Sequence, residues 1–191
     1  MNRNFLRCLL GMTFLYLCPI VAEIENSVEL RSVALFHSSS RFRNIYRKVS
    51  GCYEIEASTR WNEWDCFETW ANFDWFSKRG HSIGLSDPTK VQIVTFSAGI
   101  KFPFQLAEQS IWYLGIGPSI GRIRLKNHGE FCRQKRTEIV YGGVIKTGVN
   151  YFFTECLFVD LFADYLYQPN NFETHVDLGG IKVGAGIGVK W

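Results

Sequence analysis

The sequence predicts an all-β protein, a closed antiparallel transmembrane β-barrel of eight strands. Three observations support this fold class. The C-terminal segment alternates strictly between apolar and small or charged residues, seven further segments show a related alternation, and short and long connections follow each other in regular exchange. The length of 191 residues suits one domain of this kind.

The C-terminal segment Gly179–Trp191 carries the clearest pattern. One face of it is wholly apolar: Ile181, Val183, Ala185, Ile187, Val189 and Trp191. The other face holds only glycine and lysine: Gly180, Lys182, Gly184, Gly186, Gly188 and Lys190. Because strand side chains alternate between faces, the first face suits lipid and the second a narrow lumen. A soluble lipid-carrying barrel would need the reverse arrangement.

The seven further segments extend the pattern towards the N-terminus. They are Val28–His37, Ser50–Trp61, Asp65–Phe76, Val91–Phe102, Ser110–Arg122, Glu138–Phe153 and Cys156–Tyr167. The segment Val28–His37 alternates least clearly, and it is needed to make the number of strands even. Pro118 interrupts its segment between two glycines, which predicts a bulge or a sharp bend there.

The connections alternate in length, as they do in outer-membrane barrels with short periplasmic turns and long outer loops. The short ones are Trp61–Asp65, Phe102–Ser110 and Phe153–Cys156. The long ones are Ser38–Val49, Ser77–Lys90, Arg124–Thr137 and Gln168–Leu178. Aromatic residues gather at both ends of the segments, which predicts one girdle at each membrane interface.

The N-terminus reads as a secretory signal peptide over residues 1–22, followed by a single barrel domain over residues 23–191. Arg3 and Arg7 precede a short apolar run, and Ala22 is a plausible cleavage edge. Removing these two arginines takes the formal net charge from +3 to +1. The sequence therefore predicts export to the outer membrane of a Gram-negative envelope.

The inward-facing positions of the predicted strands are unusually charged. They hold Glu54, Glu56, Arg60, Glu68, Asp74, Lys101, Lys146, Asp160, Asp164, Lys182 and Lys190. An eight-stranded barrel has a lumen that side chains can fill, and buried charges must pair. The pattern favours an ion-pair network that closes the lumen. A gated, narrow, porin-like pore and an enzymatic carboxylate pair are the alternatives.

The predicted outer loops are basic. The bases that we expect to contact anionic lipid are Arg41, Arg43, Arg47, Lys48, Lys78, Arg79, Arg133, Lys135 and Arg136. Phosphorylated lipopolysaccharide forms the outer leaflet, and basic side chains bind phosphate. Export makes nucleic acid an unsuitable partner for these arginines.

The histidines give no support for a metal, a cofactor or a catalytic residue. His37, His81, His128 and His175 each lie in or beside a different long loop, without paired metal-ligand spacing. We therefore predict a non-enzymatic protein. For an enzyme that acts on lipid or peptide at the outer rim, His81 beside Ser82, with Asp87 on the same loop, is the arrangement to test.

Four cysteines follow the signal segment: Cys52, Cys66, Cys132 and Cys156. Cys52 and Cys66 fall at opposite ends of neighbouring strands, roughly 25 Å apart, which is beyond disulfide reach. Cys66 and Cys156 share the periplasmic end but lie across the barrel. A Cys52–Cys132 bridge, disulfide links to other envelope proteins and free thiols all remain open.

Three segments carry a resemblance to a known group: Trp112–Gly117, Leu157–Tyr165 and Gly179–Trp191. With them, the chain from about Ser27 to Trp191 resembles the small eight-stranded outer-membrane barrels of the OmpA/OmpX/OmpW-like group. The resemblance implies that Trp191 is the recognition signal for the barrel-assembly machinery. Together with the closed lumen, it implies a structural, adhesive or surface-interaction role.

Overall fold

The computed structural model describes residues 24–46, 48–61, 66–81, 88–127, 135–170 and 176–191. The segment expected to be a signal peptide lies outside these residues. The elements are β1 (Ile24–His37), α1 (Ser40–Tyr46), β2 (Val49–Trp61), β3 (Glu68–His81), β4 (Pro88–Ala107), β5 (Ser110–Asn127), β6 (Lys135–Phe152), β7 (Leu157–Tyr167), β8 (Pro169–Asn170), β9 (Val176–Asp177) and β10 (Gly180–Lys190).

Eight of the strands form a closed antiparallel barrel in the order β1-β10-β7-β6-β5-β4-β3-β2. The first and last strands close it, from Ser27 opposite Lys190 to His37 opposite Gly180. Trp191 and Asn26 extend this seam by exchanging two backbone hydrogen bonds of 2.8 Å each. The predicted fold is confirmed, including the irregular first strand. The remaining strands, β8 and β9, form a separate two-stranded ribbon.

The strands run further than the alternation predicted. The chain turns from β4 into β5 at Glu108–Gln109, so this short connection is shorter still than the expected Phe102–Ser110, whose first boundary is wrong. At the opposite end, β3 continues to His81, β4 begins at Pro88 and β5 continues to Asn127. The long connections therefore contain strand as well as loop. The connection between β1 and β2 contains α1.

No bulge forms at Pro118. Ser97 pairs with Ser119 and Ile100 with Ile116 in one unchanged register, although the pairs between them are missing from the ladder. Proline has no N–H to donate. A Cβ on Gly117 would lie only 2.1 Å from the Ala98 carbonyl oxygen, so the two backbones approach closely here. The bulge prediction is wrong, and the register shift between β4 and β5 lies instead near Gln105 and Ala107.

The two faces of the terminal strand have the environments that the alternation predicted. Outward residues such as Ile187 are exposed around the barrel, as are Leu30, Ile116 and Leu161 on other strands. The glycines of β10 face inward, where a Cβ on Gly188 would lie 2.2 Å from the Phe158 ring. The bare face of β10 therefore makes room for aromatic rings from β7.

Helices do not supply a membrane span in the part of the chain that the structure describes, where none is long and apolar enough to cross a bilayer.

Candidate functional site: a closed lumen

Arg31 of β1 lies at the centre of the lumen. Its guanidinium is completely buried and touches acids from three strands: Glu29, Glu54 at 3.2 Å, Glu56 at 3.0 Å, Asp160 at 2.7 Å and Asp164 at 3.5 Å. It also donates a 3.0 Å hydrogen bond to the Tyr113 hydroxyl. The ring of Phe162 packs 4.5 Å from the guanidinium carbon. One side chain thus joins β1, β2, β5 and β7 across the barrel.

Three lysines complete the charge pairing. Lys146 contacts Glu56, and its Nζ lies 3.1 Å from Glu54 and 3.4 Å from Asp164. Lys182 lies 2.5 Å from Asp74 and 3.2 Å from Glu54. Lys101 contacts Glu56 and donates to Ser58 at 3.2 Å. Each of these lysines is almost fully buried.

These charges form one connected set, which we call the central network. It consists of Glu29, Arg31, Glu54, Glu56, Asp74, Lys101, Lys146, Asp160, Asp164 and Lys182. Two neutral side chains support it, since Asn72 donates to Glu54 at 2.7 Å and Tyr113 donates to Asp160 at 3.0 Å. Six acids face four bases, so the formal charge of the fully ionised set is 4 − 6 = −2. Loss of a base therefore enlarges an existing surplus, whereas loss of an acid reduces it.

The predicted lumen residues fall into two groups. The structure places Glu54, Glu56, Asp74, Lys101, Lys146, Asp160, Asp164 and Lys182 in the central network. Arg60, Glu68 and Lys190 lie apart from it at the end with the short turns, which the sequence predicts to face the periplasm. With Glu25 they form a half-buried group that we call the periplasmic rim. Arg60 lies 2.6 Å from Glu68, and Lys190 lies 2.8 Å from Glu25.

Glu29 and Arg31 were missed from the sequence, although they belong to the network. The signal that could have found them is their spacing around the outward-facing Leu30. Further along β1, inward Val33 and Leu35 alternate with outward Ala34 and Phe36. Because both faces are apolar there, the alternation between polar and apolar residues disappears. The sequence then does not show which residues of β1 face the lumen.

Above the network the lumen changes from charged to apolar. We call this cluster the apolar mouth: Val33, Leu35, Tyr46, Cys52, Phe76, Val91, Ile93, Ile123, Val140, Phe162 and Leu178. Helix α1 contributes Tyr46 and lies directly against β3, because a Cβ on Gly80 would meet the Ile45 carbonyl oxygen at 2.3 Å. Burial raises the pKa of the Tyr46 hydroxyl. Phe162 touches both layers, so the mouth rests on the network.

At the periplasmic end, a vestibule of about 640 Å³ opens between the turns. Glu25, Arg60, Glu108, Phe152 and Lys190 are among the residues that line it. Its lining includes none of the central network. The cavity is therefore a shallow, polar entrance that lies below the charged layer.

Within the described ranges, no group of three or more His, Cys, Asp or Glu side chains could hold a metal ion. His37 Nε2 and Ser50 Oγ lie 3.0 Å apart, and both side chains are buried. Cys52, Cys66 and Cys156 are free thiols. His81 ends β3, while Ser82, Asp87, His128, Cys132 and His175 lie outside the described residues.

The basic residues expected to contact lipid are spread over the extracellular end. Arg43 and Lys48 are exposed, and Arg79 is exposed on the outer wall of β3. Lys78 donates to the Val49 carbonyl at 3.1 Å, and Arg136 lies 2.6 Å from Glu138. Arg41 lies in α1 and Lys135 begins β6, while Arg47 and Arg133 lie outside the described part of the chain.

An eight-stranded antiparallel barrel with an apolar outer wall and a charged, filled interior is a transmembrane barrel of the outer-membrane class. Comparison with solved structures confirms the resemblance in fold. Neisserial surface protein A is 18% identical, with a TM-score of 0.64, over 88% of this chain and 97% of that one.

Two further barrels of this class are similar in fold. OprG of Pseudomonas aeruginosa is 8% identical, with a TM-score of 0.66, over 87% of this chain and 95% of that one. Ail, the attachment invasion locus protein of Yersinia pestis, is 12% identical, with a TM-score of 0.56, over 88% and 99%. No protein-family model matches the sequence, and no curated protein matches it significantly.

Proposed function

We propose that this protein is an integral outer-membrane barrel that conducts no solutes and acts through its extracellular surface, in a structural, adhesive or surface-interaction role. The observation that carries the proposal is the double closure of the lumen. The central network fills the middle of the barrel, and the apolar mouth fills the extracellular end.

The closure favours a plug over a narrow pore. Conduction needs a path along which an ion is hydrated or finds replacement ligands. Here the Arg31, Lys146 and Lys182 side chains reach across the lumen to acids on other strands. An ion entering from the vestibule would have to break these pairs and then pass the apolar mouth.

An enzymatic role receives less support from the same geometry. His37 and Ser50 have the separation of a base and a nucleophile. However, their exposed fractions are only 2% and 1%, so a substrate at the rim would not reach them. The name of Ail associates a barrel of this fold with attachment, which agrees with an adhesive use of the extracellular end.

Planar-bilayer recording of the purified, refolded barrel tests the closure. We expect the wild-type current to stay at the lipid baseline, with a large open porin as the positive control. Heat-modifiable gel mobility must first show that the inserted protein is folded. Steady single-channel conductance from folded wild-type protein would overturn the proposed plug.

Membrane residence has its own test. Fractionation of the native cell envelope should recover the mature protein with the outer membrane. Recovery of a folded, soluble protein from the periplasm would contradict the proposed location.

A further inference from the structure

The outer wall of the barrel changes character towards the ends of β3–β6. In β5, Leu114, Ile116 and Ile120 face outward in the lower part of the strand. Higher up, the outward residues are Arg122, Arg124 and Lys126, while Ile123 faces inward and is buried. The same strand thus reverses its polarity, from apolar outside to cationic outside.

Neighbouring strands continue this cationic surface. Arg79 of β3 pairs with Lys90 of β4, and Lys90 pairs with Lys126 of β5. Three bases therefore occupy one row on three adjacent strands, which spans about 10 Å at the usual strand separation. We call the five bases Arg79, Lys90, Arg122, Arg124 and Lys126 the cationic collar.

This arrangement is unfavourable without an anion from outside. Like charges directly opposite each other destabilise a pair of strands. Among the described residues, no ion pair involves a collar base; the nearby Glu138 is already paired with Arg136 at 2.6 Å. The adjacent row of outward residues, Ser77, Gln92, Arg124 and Thr137, adds another base and no acid.

The height of the collar identifies the source of the anion. Arg122 shares a row with the outward-facing, exposed Trp75 through Val94. Tryptophan at the end of an apolar barrel wall marks the level of the lipid headgroups. The next row of outward residues towards the extracellular end contains Arg124, and the rest of the collar lies beyond it. At that height and on that face, the neighbouring molecules are lipids of the outer leaflet.

We propose that the cationic collar is a binding site for the phosphate groups of a phosphorylated lipid in the outer leaflet. Arginine binds phosphate through paired N–H donors, and lysine binds it as a compact charge. Successive outward residues of β5 lie about 7 Å apart, so the site can contact more than one phosphate. This inference rests on the proposed membrane residence and specifies the surface through which the barrel contacts its surroundings.

The test compares the wild-type barrel with the variant K90Q/R122Q/R124Q/K126Q in three kinds of phosphatidylcholine vesicle. The first contains no other lipid, the second contains diphosphorylated lipid A, and the third contains dephosphorylated lipid A. The matched control is R43Q/K48Q, which removes two exposed bases of α1 and the following loop rather than of the outer wall. Lipid retained through detergent extraction is measured by mass spectrometry, and thermal unfolding by heat-modifiable mobility.

We expect wild-type protein and the R43Q/K48Q control to retain diphosphorylated lipid A and to unfold at a higher temperature with it. The collar variant should bind this lipid at least about tenfold more weakly, because it loses charge-assisted contacts. Dephosphorylated lipid should stabilise none of the proteins.

Equal retention by the wild type and the collar variant would overturn the site, as would equal losses in the collar variant and the control. Equal stabilisation by dephosphorylated lipid would overturn the role of phosphate. Failure to insert into any vesicle would instead contradict the proposed membrane residence, and heat-modifiable mobility detects that outcome separately.

Discussion

The membrane-spanning part of the barrel and its extracellular end are built from the same strands, but they carry charge on opposite faces. In the lower part, Lys101 and Lys146 face inward while Ile100 and Ile145 face lipid. At the top of β5, Ile123 faces inward while Arg122 and Arg124 face outward. The surroundings of the outer wall change along the strand, and the charged face changes from inward to outward with them. The strand itself continues without a break.

The central network and the apolar mouth should respond differently to substitution. Charges of the central network have left water and are stabilised by one another and by a few hydrogen bonds to neutral side chains. Side chains of the apolar mouth are held mainly by packing. A substitution that removes charge should therefore act mainly on the network, and one that removes volume should act mainly on the mouth.

Replacing Arg31 by methionine should have the largest effect. Glu29, Glu56 and Asp160 would remain buried without their shared partner, and the formal charge of the network would fall from −2 to −3. We expect the free energy of unfolding to fall by about 3–5 kcal/mol, measured by denaturant titration in lipid vesicles. R60M is the control at the half-buried periplasmic rim, where we expect a loss of about 1 kcal/mol or less. Equal losses would show that the network does not depend on its central base.

Truncating Phe76 to alanine should be the next largest change. Its ring is 2% exposed within the apolar mouth, and removal of a buried phenyl ring costs roughly 3 kcal/mol. Bilayer conductance should stay at baseline, because the central network still fills the lumen. A steady current through Phe76→Ala would identify the mouth as the main barrier to ions.

Asp164→Asn should be much milder than Arg31→Met. Asp164 lies at longer distances from its bases, 3.4 Å from Lys146 and 3.5 Å from Arg31, and its loss reduces the negative surplus. We expect a change of about 1 kcal/mol or less in the free energy of unfolding. The double variant R31M/D164N should also be more stable than R31M alone. If D164N lowers the free energy of unfolding as much as R31M does, the negative surplus of the network does not affect stability.

The smallest effect should come from alkaline pH at Tyr46. Burial raises the pKa of its phenol above the ordinary value of 10.0, so the folded state keeps the proton longer than the unfolded state. The contribution of Tyr46 to stability is therefore complete below pH 10 and is lost as the pH rises through the folded-state pKa. Above pH 10, wild-type protein should lose stability more steeply than Tyr46→Phe. Parallel pH curves would contradict this.

The alternation of residues predicts the membrane-spanning part of the strands but not their extracellular ends. Eight strands and their inward faces were predictable, because lipid and lumen impose opposite demands on alternate residues such as Lys182 and Ile181. The ends of β3–β6 were not predictable, because the outward residues become polar above the apolar band of the outer wall and the expected pattern stops there. The sequence did not assign Glu29 and Arg31 to the lumen for a related reason. Inward Val33 and Leu35 belong to the apolar mouth, so both faces of β1 are apolar there and the alternation disappears.

Contacts across the lumen lay beyond the sequence altogether. Arg31 and Asp160 are separated by 129 positions, and their 2.7 Å contact depends on how the barrel closes. Parity fixes which way a side chain points but not which strand faces it. The same limit applies to the collar, whose row of bases exists only in the observed register of β3–β5.

Arg31 also bears on the order of events during biogenesis. It lies in the first barrel strand, whereas Asp160, one of its carboxylate partners, lies in β7, near the other end of the chain. A partly assembled sheet would pair Arg31 only with Glu29, Glu54 and Glu56 of β1 and β2 and would leave this charged cluster open on the face destined for the interior, where hydrocarbon would repel it. In incomplete assembly intermediates, the interior face of the sheet should therefore stay exposed to water until β7 is added. Release into the bilayer is thereby tied to completion of the polypeptide.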